Sequence, residues 1–314
     1  MKIIFFGSSH FALSSLKALI AAGLDISCVV TQPDKHKGRG MYIGATAIKQ
    51  FAIDSGLSVF QPVSVNAPQS VENLKKLKPD LFVVVSYGQI LSQRILDLPQ
   101  KMVINAHASL LPKYRGAAPI NWAIINGERL TGVTIIKVVR RMDAGPIISQ
   151  KMLEIYDNDN AVTLEDRLSC LAARLLIDSL RKISENKFDL CPQDETLASY
   201  APKLKKSDGL IDFTKPAIAI RDLIRGCAGW PGAYCYYNGK MLKLYKAKAL
   251  NEAPSISSVA GQIVEISKDS IKIATGSGLL QVEELQLEGK RRMQVREFIA
   301  GHKVQTLEII KNKK

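Results

Sequence analysis

Histidine and cysteine are scarce, four and five in 314 residues, and their spacing excludes whole classes of chemistry. The cysteines at 28, 170, 191, 227 and 235 form no CxxC pair and no even framework. Neither a zinc site nor a disulfide scaffold is indicated, no metal is expected, and a reducing, cytoplasmic compartment fits. No apolar run approaches the roughly 18 residues of a membrane span. The strand-like run from Lys2 to Phe6 begins directly after Met1, where a signal or transit peptide would have to stand. A P-loop is missing. Gly7-Ser8-Ser9-His10-Phe11 follows the first strand where a dinucleotide fold would carry GxGxxG, but its second and third glycines are absent. These gaps argue against an NTPase and a nicotinamide enzyme, and leave Gly7 as a tight strand-to-helix turn.

What is present is ordinary globular composition, 46% hydrophobic and 23% charged, with a marked basic excess. Lys and Arg number 43 against 29 Asp and Glu, a net +14, of which +7 falls on each side of Leu190 although the second part has only 124 residues. A polyanion, nucleic acid first, would meet such a surface; a merely soluble lysine-rich surface accounts for the charge equally well.

Through about residue 150, strand-like and helix-like stretches alternate. Ile3 to Phe6, Ile26 to Thr31, Leu81 to Ser86, Val103 to Ile104 and Val133 to Val139 read as strands. Ala47 to Ser55, Ala67 to Lys78 and Pro119 to Asn126 read as helices. The pattern predicts a Rossmann-like α/β domain with a mostly parallel sheet. Thr163 and Asp166 resemble a capping box that opens a long helix through Ile183. A polar, turn-rich stretch follows, and then five short strands. The first two flank Asn238-Gly239, a strong hairpin signal, and the set suggests a small OB-like barrel. The expected division is therefore 1–189 for a catalytic domain, 190–207 for a linker and 208–314 for the basic barrel.

The densest segment for chemistry runs from Ile104 to Pro119. Asn105 and His107 stand two apart at the end of a strand, so they project to one side, at the edge where open α/β sheets bind ligands. An amide N–H can stabilise an oxyanion and an imidazole can move a proton. Asp143, in the turn after the Val133 to Val139 strand, is the best-placed partner for the imidazole, although an ordinary turn aspartate would look the same.

Asn105-Ala106-His107-Ala108-Ser109-Leu110-Leu111-Pro112, followed by Arg115-Gly116-Ala117-Ala118-Pro119, closely resembles the motif of the folate-dependent formyltransferases. Thr31-Gln32-Pro33-Asp34, Gly38-Arg39-Gly40, Val83-Val84-Val85-Ser86-Tyr87-Gly88, Asp194-Glu195-Thr196 and Trp230-Pro231 extend the likeness over essentially the whole chain. The basic loop and β-rich tail make it resemble the branch of that family that acts on a charged tRNA.

The resemblance implies transfer of a formyl group from 10-formyltetrahydrofolate to the α-amino group of initiator methionyl-tRNA. It implies Asn105, His107 and Asp143 as the catalytic set and Ser109, Leu110, Leu111 and Pro112 as the folate segment; Tyr87, Gly88, Ile90 and Leu91, at a strand end expected beside that of Asn105, are expected to line the pterin slot, with plain core packing an equal reading for Ile90 and Leu91. It also implies that the Asp34 to Gly44 loop, carrying Lys35, Lys37 and Arg39, wedges against the tRNA acceptor end and becomes ordered there. Lys203, Lys205, Lys206, Lys243, Lys246, Lys248, Arg291 and Arg292 are expected mostly on one side of the barrel, on phosphates. No membrane partner is expected, and the chain is expected to be a monomer. The alternatives are a formyltetrahydrofolate hydrolase, a formyltransferase for a small-molecule amine, or an RNA-binding module that has lost catalysis.

Overall fold

A computed structural model describes residues 1–37, 42–253 and 258–311. Its contacts divide the chain into two compact units. Unit 1 holds Met1–Pro119, Leu130–Glu154 and Glu165–Pro202; unit 2 holds Ile120–Arg129, Ile155–Leu164 and Lys203–Lys314. This differs from the continuous division expected from composition. The last break, between Pro202 and Lys203, lies within the polar stretch; the difference is that 120–129 and 155–164 group with unit 2, and these short segments carry no shift in composition.

The strands of unit 1 are β1 (Ile3–Gly7), β2 (Ile26–Val30), β3 (Lys35–Lys37), β4 (Tyr42–Gly44), β5 (Val59–Phe60), β6 (Leu81–Val85), β7 (Met102–His107), β8 (Arg115–Gly116), β9 (Leu130–Lys137), β10 (Ile147–Glu154) and β11 (Tyr200–Ala201). Seven form one sheet in the order β10-β9-β7-β6-β1-β2-β5. From β5 to β7 every pairing is parallel. That is why β1 is buried at all five positions: a strand covered on both faces reads as a continuous apolar run. Helices α1 (His10–Ala21), α2 (Ala47–Asp54), α3 (Pro68–Lys76) and the short α4 (Gln93–Leu96) connect these strands. A Cβ on Gly7 would lie 2.8 Å from Ala12 Cβ, so the first strand-to-helix turn requires glycine there.

Two features depart from the sequence reading. β9 is antiparallel to both β7 and β10, and β10 was not anticipated; only partly buried or exposed residues make it up, so it carries no apolar alternation. The Asp34 to Gly44 segment, expected as a loop, pairs at its ends: β3 and β4 are antiparallel, with His36 opposite Ile43. Gly38, Arg39, Gly40 and Met41 lie outside the described residues.

Helices α5 (Pro119–Ile125) and α6 (Ala161–Ser184) follow in the chain. α6 starts before the expected cap. Asn160 Oδ1 accepts from Thr163 N at 3.1 Å while Thr163 Oγ1 accepts from Asn160 N at 3.0 Å, so the capping box is Asn160 with Thr163, not Thr163 with Asp166. Asparagine caps as well as threonine, and its position one turn earlier wins.

In unit 2, α7 (Ala217–Gly226) precedes β12 (Ala233–Tyr237), β13 (Lys240–Leu250), β14 (Ile263–Ile266), β15 (Ile271–Ala274), β16 (Leu279–Leu287), β17 (Met293–Gln294) and α8 (Val295–Gly301). The sheet runs β12-β13-β16-β15-β14, antiparallel throughout. The tail closes it into a barrel: Ile263 N donates to Glu308 O, and Tyr236 and Lys311 exchange backbone hydrogen bonds. Leu242, Leu244, Ile273, Leu280, Val282 and Phe298 fill the interior. The segments 120–129 and 155–164 belong to this unit through polar anchors on α7. Asn121 Nδ2 donates to Gly226 O (2.8 Å), and Arg225 reaches Asp159 O and Tyr156 O (both 2.6 Å).

Candidate active site

The carboxyl end of β7 lies between β6 and β9, with Asn105 opposite Val84 and His107 opposite Thr134. Because β9 runs antiparallel, its end at Lys137 lies beside Ile104, short of His107. Asp143 therefore does not reach the site from a neighbouring strand end, as the sequence suggested. The turn between β9 and β10 folds back over β7, with Asp143 in the left-handed region at φ 51°.

The three side chains meet there. His107 Nδ1 lies 3.6 Å from Asp143 Oδ2, with the two side chains only 7% and 14% exposed. Asn105 Nδ2 donates to Asp143 Oδ1 at 3.4 Å, and Gly116 N donates to Oδ2 at 2.9 Å. On the other side of the ring, His107 Nε2 is 2.9 Å from Tyr114 O. A carbonyl can only accept, so Nε2 carries a proton and fixes the ring. Nδ1 is left as the atom that can take one up, with a carboxylate beside it.

The loop after β7 is held by groups that the sequence reading did not single out. Thr134 Oγ1 donates to Ser109 O (2.6 Å) and accepts from Leu111 N (3.1 Å), while Gln150 Nε2 reaches both Thr134 Oγ1 (2.8 Å) and Leu111 O (2.9 Å). Further along, β8 pairs in parallel with β11. Arg115, 1% exposed, donates to Gln193 Oε1 and to both oxygens of Glu195 at 2.7–3.1 Å. Those hydrogen bonds from Arg115 hold the Glu195 carboxyl below its usual range. A buried arginine signals such a partner, since an unpaired guanidinium would not stay buried.

Residues 1–180 match the family described as formyl transferase, and residues 203–303 match the formyl transferase C-terminal domain. The chain belongs to the formyl transferase family. It is 44% identical to the methionyl-tRNA formyltransferase of Caldanaerobacter subterraneus subsp. tengcongensis over 99% of this chain and 100% of that one. It is 42% identical to the protein of the same name from Acetivibrio thermocellus over 99% of each chain. In fold it is similar to an N-formyltransferase from Helicobacter canadensis, solved with folinic acid and dTDP-3-aminofucose. The TM-score is 0.70 at 20% identity, over 93% of this chain and 100% of that one.

In this formyltransferase the residues expected around folate fall into two groups. Tyr87, Leu91, Ser109 and Leu111 are buried: Tyr87 and Leu91 pack in the core with Phe6 and Ile95, and Ser109 Oγ donates to Lys113 O at 2.6 Å. Burial pushes the Tyr87 phenol up to about 12, and its hydroxyl has no partner among the described residues. Ile90 is 74% exposed, Gly88 is exposed, and Leu110 and Pro112 are half-buried.

Of the residues expected on tRNA, Lys35 and Lys37 stand on β3, while Arg39 is outside the described residues. In unit 2, Lys203, Lys205 and Lys206 are exposed. Lys246 and Lys248 both pair with Glu283, Arg291 with Glu297, and Arg292 with Glu284 while lying 4.3 Å over the Tyr245 ring. Acids on β16 and α8 thus meet charges that the sequence alone shows as a basic stripe.

Proposed function

We propose that this formyltransferase moves the formyl group of 10-formyltetrahydrofolate to the α-amino group of methionyl-tRNA, in the cytoplasm, for translation initiation. One observation carries the reading: the Asn105, His107 and Asp143 cluster sits in a chain that is alike from end to end, C-terminal unit included, to relatives named for that reaction. The basic excess, +7 of the +14 lying after Leu190, favours a polyanionic acceptor over a small amine or water.

The formyl donor supplies an activated one-carbon group at the oxidation level of formate. Its folate part suits some of the residues assigned to it: Ile90 and Leu110 offer apolar surface for a flat ring, whereas Tyr87, its hydroxyl buried, and Leu91 pack in the core. Asn105 uses one amide N–H on Asp143; the other can donate to an oxyanion as the carbonyl carbon becomes tetrahedral. His107 Nδ1 takes the proton that the attacking amine must lose, the Asp143 carboxylate stabilises the resulting imidazolium, and that proton passes to the folate nitrogen as its bond to the formyl carbon breaks and tetrahydrofolate leaves. Tyr114 O keeps the ring from turning. Lys205 and Lys206 attract the tRNA backbone, while Lys35, Lys37 and Arg39 belong to the segment assigned to its acceptor end.

The test is incubation of the purified protein with 10-formyltetrahydrofolate and, separately, methionyl-tRNA, an amino sugar nucleotide, or water alone. Formyl-methionyl-tRNA should form with a kcat/KM far above the other two reactions. Faster hydrolysis, or faster formylation of the sugar amine, would overturn the proposal.

A further inference from the structure

Asp143 reaches His107 only because its turn is folded back, and one side chain holds the backbone of that turn at two points. Gln193 Nε2 donates to Asp143 O at 2.8 Å and to Gly145 O at 2.7 Å. The other end of the same amide is clamped: Gln193 Oε1 accepts from Arg115 Nε at 3.1 Å and Nη2 at 2.7 Å. With a buried guanidinium on its oxygen, the amide has one allowed orientation, and both its N–H groups must face the turn. The site needs this restraint, because a non-glycine residue at φ 51° relaxes unless its surroundings hold it. A Cβ on Gly145 would lie against Lys137 O, so the turn is also closely seated on β9.

We infer that Gln193, oriented by Arg115, is a positioning residue that sets the Asp143 carboxylate against His107 Nδ1. It touches neither reacting atom, and it acts through the backbone of Asp143. The inference rests on the assignment of proton handling to His107 and Asp143 above. Glutamate at 193 would keep the acceptor for Arg115 but replace both donors with an oxygen facing two carbonyls. Methionine would keep the length and lose every hydrogen bond.

The experiment measures Gln193→Glu and Gln193→Met in the full chain, each alone and on an Asp143→Asn background. Alone, each should lower kcat by about 10- to 100-fold, with KM for both substrates little changed, as expected of a misplaced catalytic group. On the Asp143→Asn background the same changes should alter kcat by less than about twofold, because the residue through which Gln193 acts has already lost its charge. An equal fold-loss on both backgrounds, or a raised KM with kcat intact, would overturn the inference. Should the parent protein fail to formylate methionyl-tRNA, the functional reading falls, but the positioning role is still tested by a crystal structure of either variant. Asp143 Oδ2 displaced from His107 Nδ1 supports it; an Oδ2 still at the parent's 3.6 Å refutes it.

Discussion

Gly116 joins fold and site at one atom, which makes Gly116→Ala an informative perturbation. Its φ is 125°, a region that residues with a side chain rarely adopt, and an added Cβ would lie 2.6 Å from Ala201 O. The obstacle is main chain, on the strand with which β8 pairs, so no side-chain rotation relieves it. The backbone strain alone amounts to about 1–3 kcal/mol. Overpacking against the carbonyl adds roughly 1–3 kcal/mol unless β8 and β11 part. Parting them loosens Ala118 N from the same Ala201 O and draws Gly116 N away from Asp143 Oδ2. Together the two terms give about 2–6 kcal/mol, which for a domain of this size lowers Tm by on the order of 5–20 °C.

Gly56→Ala supplies the control within the same unit. Its φ is also positive, 71°, but nothing lies within 4 Å of an added Cβ, so it incurs the left-handed strain alone, about 1–2 kcal/mol. Differential scanning calorimetry of both variants isolates the close approach to Ala201, and steady-state formylation reads the loss of the Asp143 contact. Gly116→Ala should be the less stable and should also lose about tenfold or more in kcat, whereas Gly56→Ala should keep its kcat. Equal Tm values for the two variants, or parental kcat in Gly116→Ala, would refute both the close approach and the role of Gly116 in holding Asp143.

Three further outcomes are expected. Asn105→Ala should lower kcat by about 10²–10³ with folate binding retained, as loss of an oxyanion donor does; parental turnover would remove Asn105 from the catalytic set. The Glu195 carboxyl is held below its ordinary 4.5 by hydrogen bonds from Arg115, so its stabilising effect is complete above that value and is lost as pH falls through the lowered one. Tm should therefore fall more steeply on acidification below about pH 4.5 in the parent than in Glu195→Gln, and parallel acid limbs would contradict this. Changing Lys205 and Lys206 to Gln should weaken tRNA binding, reduce the slope of log K against log salt by about 1 per lysine and leave folate affinity alone. An unchanged slope would leave both as solvated surface charges.

The parts of the fold legible in the sequence are those where burial leaves a pattern. β1 and β6 are covered on both faces and read as apolar runs, and Asn238-Gly239 marks the β12-β13 hairpin by its turn chemistry. β10 left no such trace, because it has no buried position. The direction of β9 was equally silent: an apolar run fits either orientation, and the choice is made by the neighbour it meets. At the start of α6, Asn160 and Thr163 are both good caps, and only their reciprocal hydrogen bonds decide between them.

For the site, the sequence marks the side chains that meet there more readily than the groups that hold them. Asn105 and His107 stand out as an amide and an imidazole two apart at a strand end, whereas Asp143 alone looks like any turn aspartate. Their supports contact main-chain atoms: Gly116 N on Asp143, Tyr114 O on His107, and Gln193 on the carbonyls of Asp143 and Gly145, at separations of 27, 7, 50 and 48 residues. A carbonyl has no residue identity, so no pairing of side-chain types along the chain could reveal these contacts. One signal was nonetheless available. Arg115 lies among apolar and small residues in a loop at a strand end, where burial of a guanidinium demands an acid and further acceptors. Gln193 and Glu195, on either side of the Asp194 cap of a short 3-10 helix, present an amide and a carboxylate to one such group. Following the arginine to its acceptors, and the amide onward, leads from a charge requirement to the backbone carbonyls of Asp143 and Gly145.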